Sequence, residues 1–358
     1  FYLYFVFLGS ILQSPFWSWL ERVEGMKVAF LIHSLEVSSC RYRVLQYLPY
    51  LKEQGVDGSI HFYKRKWKDK LNFYNTLGQY DIFYILRKLF SPFEFWYIHQ
   101  MAKKIIYDFD DALMYRSSGS KSPFSLSRRI KFAYMMKRVD YVIAGNQFLK
   151  SEVFPYNPNV EVIPTSIDLS RYSLKEHFSK DGPITIGWLG SSSTLKYLKS
   201  LIPTFEKIYK KYPNIQLKIV CDEFLDGLRI PLIKKRWSSD KEEADLKSFD
   251  IGLMPLFDDL WSQGKCGLKI LQYYSAGIPV VCTPVGINRD IVEDGVNGFW
   301  AQNEDQWGNR LLKLIQEDGL RKEMGLRGRE KVEECYSLEV NAPRLFSVLK
   351  KVMEKRLR

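Results

Sequence analysis

The sequence contains few of the residues from which nucleophilic and metal-dependent sites are usually built. Its 358 residues include only four histidines and five cysteines. No Ser-His-Asp or Cys-His arrangement is present, and no zinc or Walker-type phosphate motif occurs. His33 is a lone imidazole at the end of a predicted strand, so we expect it to be structural. These absences leave no candidate for a catalytic triad or a histidine-rich metal centre.

The cysteines are odd in number, scattered, and without the paired spacing of metal sites. Such cysteines are typical of reduced thiols in a cytosolic protein. We therefore predict a cytoplasmic protein without a cysteine metal site. The five positions are Cys40, Cys221, Cys266, Cys282 and Cys335.

The chain also lacks an uninterrupted run of about 20 apolar residues, the length that a transmembrane helix needs. Residues 1–20 are apolar and aromatic, but Gln13 and Pro15 interrupt them. A basic start and a clear cleavage site, which a signal peptide would have, are missing. Because Met26 resembles a natural start before a first strand, we expect residues 1–25 to be an N-terminal extension of doubtful role. A membrane-touching anchor is the second interpretation.

What the chain does contain is enough apolar sequence for two ordinary domains. Apolar residues make up 46% and charged residues 26%, as in a folded soluble protein. The formal net charge is +12 and aromatic residues reach 15%. This surface favours an anionic partner, which is nucleic acid, an acidic membrane face or a phosphorylated ligand.

Short apolar runs alternate with amphipathic stretches in two series. The first series predicts strands over 27–32, 59–63, 82–86, 104–107, 141–144 and 160–164, with helices over 41–54 and 128–138 among them. The second predicts strands over 184–189, 216–220 and 251–254 and a helix over 195–211. This alternation indicates an α/β protein with two mostly parallel, doubly wound sheets joined near 165–180. Ligands bind such sheets at the carboxyl ends of the strands.

The tract from Gly264 to Gly298 is the most informative part of the sequence. A turn with two glycines opens a predicted helix, which Ala276 and Gly277 end before a buried strand at 278–282. Because helix starts collect N–H donors, an anion would sit well over Lys265 to Lys269, and the two lysines suit a diphosphate.

This tract resembles the donor-binding segment of family 4 glycosyltransferases, in which a glycine-rich turn enters a helix ending in Gly-x-Pro-Val-Val. The match continues through 283–288 and 291–299, and the resemblance covers Met26 to the C-terminus. It implies a GT-B fold, with two Rossmann-like domains facing a cleft and a C-terminal helix that crosses back to the first domain. The implied limits are 26–170 for the acceptor domain, 171–340 for the nucleotide-sugar domain and 341–358 for the crossing helix.

The resemblance also implies an activity, namely retaining transfer of a sugar from a nucleotide-sugar donor to a glycan or lipid-linked acceptor. The expected setting is the synthesis of cell-surface polysaccharide or glycoconjugate. No metal and no cofactor are expected, with the charge of the leaving diphosphate met by lysines and a helix start. A catalytically silent GT-B partner subunit that binds nucleotide or glycan is the alternative.

Donor-binding candidates follow two strands of the second domain. After the strand at 184–189 comes a hydroxyl-rich turn, where the family often has Gly-Arg and then a lysine. In the donor tract, Lys269 is assigned a catalytic role at the diphosphate. The donor-binding candidates are Gly190, Ser191, Ser192, Lys196, Lys265, Gly267, Leu268 and Gln272.

The same tract departs from the family pattern of two glutamates eight residues apart. The corresponding positions here are Gly264 and Gln272. Gln272 can still hydrogen-bond ribose hydroxyls. Gly264 has no side chain, so the sugar contact would come from the backbone or from Asp258 or Asp259.

In the first domain, the carboxylates from Asp108 to Asp111 follow a strand. We predict that Asp110 and Asp111 are catalytic, although either could instead cap a helix. Weaker acceptor or phosphate candidates lie in the loop after the first strand and in the helix that follows, where an ordinary helix surface is equally compatible. They are Ser38, Ser39, Arg41 and Arg43.

Residues 62–70 and 87–104 mix cations with large aromatic residues. The mixture suits an anionic membrane interface or single-stranded nucleic acid, although core aromatics beside a solvated basic face are the commonest explanation. Because of the resemblance, we expect a lipid-linked acceptor, peripheral binding at the inner face of the membrane, and no nucleic acid partner.

Overall fold

The computed structural model of the protein describes residues 25–176, 178 and 182–354. The preferred interpretation of residues 1–25 therefore lies almost wholly outside the described residues. Two six-stranded parallel sheets are present, each with helices between its strands. The predicted α/β fold with two doubly wound sheets is confirmed.

The first sheet has the strand order β2-β1-β3-β4-β5-β6. We call this sheet and its helices the first unit. Its strands are β1 Met26–Ile32, β2 Val56–Phe62, β3 Ile82–Leu86, β4 Ile105–Phe109, β5 Tyr141–Ala144 and β6 Val160–Val162. Its helices are α1 Ser38–Arg43, α2 Leu48–Glu53, α3 Trp67–Tyr74, α4 Pro92–Met101, α5 Leu126–Met136 and α6 Gln147–Val153.

The second sheet has the strand order β12-β11-β10-β7-β8-β9. With α7 to α14 it forms the second unit. Its strands are β7 Ile184–Leu189, β8 Ile215–Val220, β9 Leu232–Lys235, β10 Ile251–Met254, β11 Val280–Cys282 and β12 Gly298–Trp300. The helices are α7 Ser192–Lys199, α8 Ile202–Lys211, α9 Glu242–Lys247, α10 Leu260–Gln263, α11 Leu268–Ser275, α12 Asn288–Ile291, α13 Glu304–Gln316, α14 Asp318–Lys331 and the terminal α15 Leu338–Glu354.

Two helices predicted as continuous are broken. The helix expected over 41–54 is divided into α1, a 3-10 turn and α2, and the helix expected over 195–211 is divided into α7 and α8. Pro49 and Pro203 stand in the first turns of α2 and α8. Because proline lacks a backbone N–H and its ring clashes with the preceding turn, it is tolerated at a helix start and disfavoured in a helix interior.

Helix α15 returns to the first unit, as predicted for the crossing helix. Leu345, Val348, Leu349 and Val352 are buried in one apolar cluster with residues of β1 and β3. The Arg344 guanidinium donates to the carbonyl of Val162 in β6 at 2.5 Å. The helix begins at Leu338, three residues before its predicted start. The predicted domain limits stay predictions, since the sheets locate strands and not boundaries.

All five cysteines are free thiols. Within the part of the chain that the structure describes, no helix is both long and apolar enough to cross a membrane.

Candidate active site

A cavity of about 700 Å3 lies between the two units. Its walls are loops that follow β1, β3 and β4 on one side and β7, β8 and β10 on the other. These are carboxyl ends of parallel strands, where α/β sheets bind ligands. From the first unit the lining includes Glu36, Ser38, Ser39, Arg87, Asp110 and Asp111, and from the second Gly190, Ser191, Asp222, Trp237, Glu242, Lys265, Gly267, Leu268, Lys269 and Gln272.

The start of α11 forms part of the cavity wall. Gly267 precedes the helix with φ +68° and ψ +13°, a left-handed conformation that favours glycine. A Cβ at this position would lie 2.3 Å from the Cδ1 of Ile291. The turn is also held from the first unit, because the Asn146 amide donates to the carbonyls of Gln263 and Lys265 at 3.1 and 3.0 Å. An anion in the cavity would meet the free N–H groups of this helix start.

Lys269 reaches the cavity from the first turn of α11. Its Nζ lies 5.7 Å from the centroid of the Trp188 ring, and it forms no ion pair with any described residue. Burial and the nearby charge of Lys265 lower the pKa of Lys269 to about 8. An uncompensated, desolvated ammonium group is the side chain that a diphosphate would stabilise most.

Lys265 is paired across the two units. Its Nζ lies 2.7 Å from Oδ1 of Asp111, and Arg87 contacts Asp111 from the other side. Burial acts to raise the pKa of Asp111, but Lys265 and Arg87 outweigh it and hold the pKa below its usual value. Asp111 is therefore an ionised carboxylate at neutral pH, flanked by two cations.

Asp110 lies beside this pair and has unused bonding capacity. Its Oδ1 is 3.1 Å from the Nε of Arg87, yet this buried oxygen accepts no hydrogen bond from the described residues. Arg87 has φ +60°, which is uncommon for a residue with a side chain and a form of strain that clusters at functional sites. No helix begins at 110–111, so the helix-cap interpretation of these aspartates is wrong.

The hydroxyl-rich turn after β7 lines the cavity with Gly190, Ser191, Ser193 and Thr194. Ser191 and Thr194 form a reciprocal cap on α7, so part of the serine run has a structural role. Ser192 instead donates its backbone N–H to Asp222 at 2.8 Å and does not line the cavity.

Three predicted cationic candidates lie outside the cavity lining. The Nζ of Lys196 donates to the carbonyl of Ser118. Arg43 is buried and pairs with Asp108 at 2.6 Å, and Arg41 pairs with Glu242 at 3.4 Å. Neither arginine is an ordinary helix-surface residue, because side-chain exposure is only 3% for Arg43 and 11% for Arg41. Both are engaged in ion pairs within the protein.

The structure explains why Gly264 cannot carry a larger side chain. A Cβ there would lie 2.5 Å from the Cβ and 2.6 Å from the backbone N of Ala112. The proposed substitutes are also occupied elsewhere. Asp259 caps α10 and accepts from Ser118 at 3.0 Å, while Asp258 accepts from Gln263 at 2.8 Å. Neither aspartate lines the cavity.

Sequence reasoning missed several residues of the lining. Arg87 was grouped with the aromatic and basic stretch, although it directly follows β3, a position that could have pointed to the cavity. Trp237 and Glu242 lie in a region where no strand or helix was predicted. Their place in the cavity depends on β9 and α9, which bring them towards α1 of the first unit.

The fold is similar to that of several solved glycosyltransferase structures. Anabaena HepE in complex with UDP and glucose gives a TM-score of 0.71 at 15% identity, covering 90% of this chain and 99% of HepE. Sucrose-phosphate synthase from Thermosynechococcus elongatus gives 0.74 at 12% identity, covering 92% and 100%. S. aureus TarM gives 0.60 at 17% identity, covering 75% of this chain and 54% of TarM, so the chain spans about half of TarM. No curated protein matches the sequence.

Two parallel sheets with a cavity between them, and the likeness to these structures, define a GT-B protein. Residues 183–317 match the family model described as glycosyl transferases group 1. The predicted enzyme class, a glycosyltransferase, is thereby confirmed. Membership of family 4 within that class stays a prediction.

Proposed function

We propose that the protein transfers a sugar, with retention at the anomeric carbon, from a nucleotide-sugar donor to a glycan or lipid-linked acceptor. The main support is the composition of the cavity wall. The start of α11, with Lys265 and Lys269, lines the cavity from the second unit, and the carboxylates of Asp110 and Asp111 line it from the first. HepE, of similar fold, binds UDP and glucose. The proposed pathway is the synthesis of cell-surface polysaccharide or glycoconjugate.

In this proposal the diphosphate of the donor lies over the start of α11. Lys269 and the N–H groups there stabilise the negative charge that develops on the leaving diphosphate. Lys265 can exchange its contact with Asp111 for the diphosphate, because both anions compete for one ammonium group. Asp110 and Asp111 then face an acceptor hydroxyl, and the serines of both walls complete the hydrogen bonding.

A thermal-shift panel of UDP-, GDP-, ADP- and dTDP-sugars tests the donor site. We expect one nucleotide to raise the melting temperature by several degrees in the wild type and not in Lys269→Ala. Lys210→Ala, an exposed lysine of α8, is the matched control and should respond like the wild type. The absence of any shift in the wild type would contradict the proposal.

The alternative function, a silent nucleotide- or glycan-binding subunit, is favoured by one observation. Gly264 has no space for the family's first glutamate. A protein of this kind would bind its nucleotide-sugar but would neither transfer the sugar nor slowly hydrolyse the donor. The two functions are therefore separated by measuring nucleoside diphosphate release in the presence of an extracted glycan or lipid acceptor, since only a transferase releases it.

We also propose that the first unit binds an anionic membrane surface. Trp67 of α3 and Phe93 and Trp96 of α4 are 43%, 65% and 49% exposed. Their rings form a stack with centroid distances of 6.1 and 6.3 Å. The cations of 64–68 beside this stack are exposed, which complements lipid phosphates while the aromatic rings enter the headgroup region.

Co-sedimentation with vesicles tests this second proposal. The protein should bind vesicles containing phosphatidylglycerol and not vesicles of phosphatidylcholine alone. Trp67→Ala/Trp96→Ala should lose binding, whereas Leu326→Ala, which alters an equally exposed apolar residue of α14, should retain it. Equal binding by the two variants, or stronger binding to a single-stranded oligonucleotide than to the vesicles, would contradict it.

A further inference from the structure

A buried polar cluster closes one end of the cavity and joins the two units. Its centre is the carboxylate of Glu242, only 4% exposed, in α9. Glu242 accepts hydrogen bonds from the hydroxyls of Tyr42 and Tyr172, both at 2.7 Å, and from the indole of Trp237 at 2.9 Å. Arg41 adds an ion pair at 3.4 Å. Arg41 and Tyr42 belong to α1 of the first unit, so this cluster connects the two units.

The charges and hydrogen bonds of the cluster make the Tyr42 oxygen an acceptor. Burial acts to raise the pKa of Glu242, but Arg41 and the donated hydrogen bonds outweigh it and lower the pKa. Glu242 is therefore an ionised carboxylate and can only accept hydrogen bonds. Burial and Glu242 raise the pKa of Tyr42, which keeps its single proton. Tyr42 donates this proton either to the Glu242 carboxylate at 2.7 Å or to the Tyr172 hydroxyl at 2.8 Å, and in the second case Tyr172 donates to Glu242. The oxygen of Tyr42 is then left as an acceptor.

This arrangement fixes the side-chain amide of Gln272 in α11. The Nε2 of Gln272 lies 3.1 Å from the Tyr42 oxygen. Because that oxygen only accepts, the amide presents its NH2 group to Tyr42 and turns its carbonyl oxygen away. Gln272 lines the cavity, and its carbonyl oxygen accepts no hydrogen bond from the described residues.

We propose that Glu242 and Tyr42 are positioning residues that hold the Gln272 carbonyl oxygen ready to accept a hydrogen bond from a hydroxyl group of a ligand in the cavity. The inference rests on the proposed function and assigns that hydroxyl to the ribose of the donor nucleotide. Since Tyr42 comes from the first unit, recognition by Gln272 in the second depends on the two units being together.

The same geometry gives a physical reason for glutamine at position 272. A glutamate there would place a second carboxylate beside the buried Glu242 cluster. It would also bring an oxygen that cannot donate against the accepting oxygen of Tyr42. Both effects are unfavourable in a buried site. The negative charge in this part of the cavity wall is therefore carried by Glu242 of α9.

Titration calorimetry with nucleoside diphosphates and their 2′-deoxy forms tests the inference. UDP, GDP and ADP are each compared with the deoxy analogue, and the wild type should favour the ribose form of the nucleotide that it binds. Tyr42→Phe should reduce this preference by about tenfold, the effect of one misplaced hydrogen bond. Tyr74→Phe is the matched control, because it removes another buried tyrosine hydroxyl that donates to a glutamate, Glu94, away from the cavity, and it should keep the ribose preference.

A charge-exchange pair provides a second, independent measurement. Gln272→Glu should weaken ribonucleotide binding by about tenfold or more, and Gln272→Glu/Glu242→Gln should recover most of the loss. Circular dichroism establishes that each variant is folded. If Tyr42→Phe keeps the ribose preference and the double variant shows no recovery, the inference is overturned while the proposed function stands. If the wild type binds none of the nucleotides, the proposed function fails and this inference fails with it.

Discussion

At the scale of single residues, the two lysines of the cavity differ in whether they form an ion pair. Lys265 is neutralised by Asp111 at 2.7 Å, whereas Lys269 faces the cavity near the Trp188 ring and forms no ion pair with a described residue. A paired lysine contributes to holding the units together, and an unpaired one is available to a ligand. The difference predicts distinct consequences of changing each charge.

The unpaired lysine predicts a pH dependence of nucleotide binding. With its pKa lowered to about 8, Lys269 loses its proton as the pH rises from about 7 to about 9, and the affinity for a diphosphate should fall several-fold. In the unliganded protein the same group has the opposite effect on stability. The folded state binds fewer protons than the unfolded chain above about pH 8, so this group makes the free energy of unfolding rise with pH. Calorimetric titrations across this range should show the fall in the wild type and in Lys210→Gln, and a pH-independent affinity in Lys269→Gln would identify the lysine as its source.

The close approach of Ala112 to Gly264 predicts that alanine destabilises the protein at position 264, whereas alanine at Gly308 stabilises it. Gly264→Ala should lower the free energy of unfolding by about 1–3 kcal/mol, because its Cβ would overlap Ala112. Gly308→Ala should raise it by about 0.5–1 kcal/mol, since Gly308 lies within α13 with nothing near its Cβ position. Urea unfolding curves measure both. A Gly264→Ala protein as stable as the wild type would show that Ala112 can move aside.

At the scale of elements, the start of α11 determines where an anion can bind. Lys265, Gly267 and Lys269 are brought together by one tight turn and the first helical turn. The glycine allows the turn to reverse into the helix, and the lysines follow from its geometry. An alteration of this single turn should therefore affect binding more than stability.

A pair of glycines in the left-handed region separates these two effects. Gly267 and Gly295 have φ of +68° and +83°. Of the two, only Gly267 lies at the cavity, and only its Cβ position has neighbouring atoms, of which the Ile291 Cδ1 is the nearest. Both alanine variants should lose about 1–2 kcal/mol of stability from backbone strain. Only Gly267→Ala should also abolish the nucleotide-induced thermal shift. Equal shifts in the two variants would remove α11 from the donor site.

At the scale of the whole molecule, both units contribute residues to the cavity, and the terminal helix packs back on the first unit. The first unit contributes carboxylates and serines to the cavity, and the second contributes lysines and a helix start. Contacts such as that between Lys265 and Asp111 join the two walls. In our proposal the lysines of the second unit meet the diphosphate of the donor.

This supply of cations predicts how transfer responds to chelation. Because Lys265, Lys269 and the α11 start stabilise the leaving diphosphate in our proposal, EDTA should leave the rate of sugar transfer unchanged. The measurement is the rate of nucleoside diphosphate release with and without EDTA, repeated after Mg2+ or Mn2+ is added to the EDTA-treated protein. A rate that falls with EDTA and returns with either ion would require a metal in the mechanism.

Much of the fold followed from local patterns in the sequence. The strands over 82–86, 141–144, 184–189 and 251–254 have their predicted limits, because short apolar runs between polar stretches can be buried in only one way in a parallel sheet. Gly277 ends α11 with φ +72°, as the position of that glycine predicted. The proline positions at 49 and 203 were also visible and would have divided both overlong helices.

Tertiary structure alone determined which charged residues reach the cavity. Arg43 and Asp108 are 65 residues apart and form a buried ion pair. Tyr42, the residue immediately before Arg43, instead donates to Glu242, which is 200 residues away. Sequence patterns report the period of a single element and the chemistry of a single turn. The partner of a buried charge depends on how distant elements pack, because a desolvated ion must be neutralised by whatever group the fold brings within reach. The sequence by itself therefore determined the class of fold and the turn at α11, and only the packing of the two units decided that Arg87 and Glu242 line the cavity and that Tyr42 contacts Glu242 and Gln272.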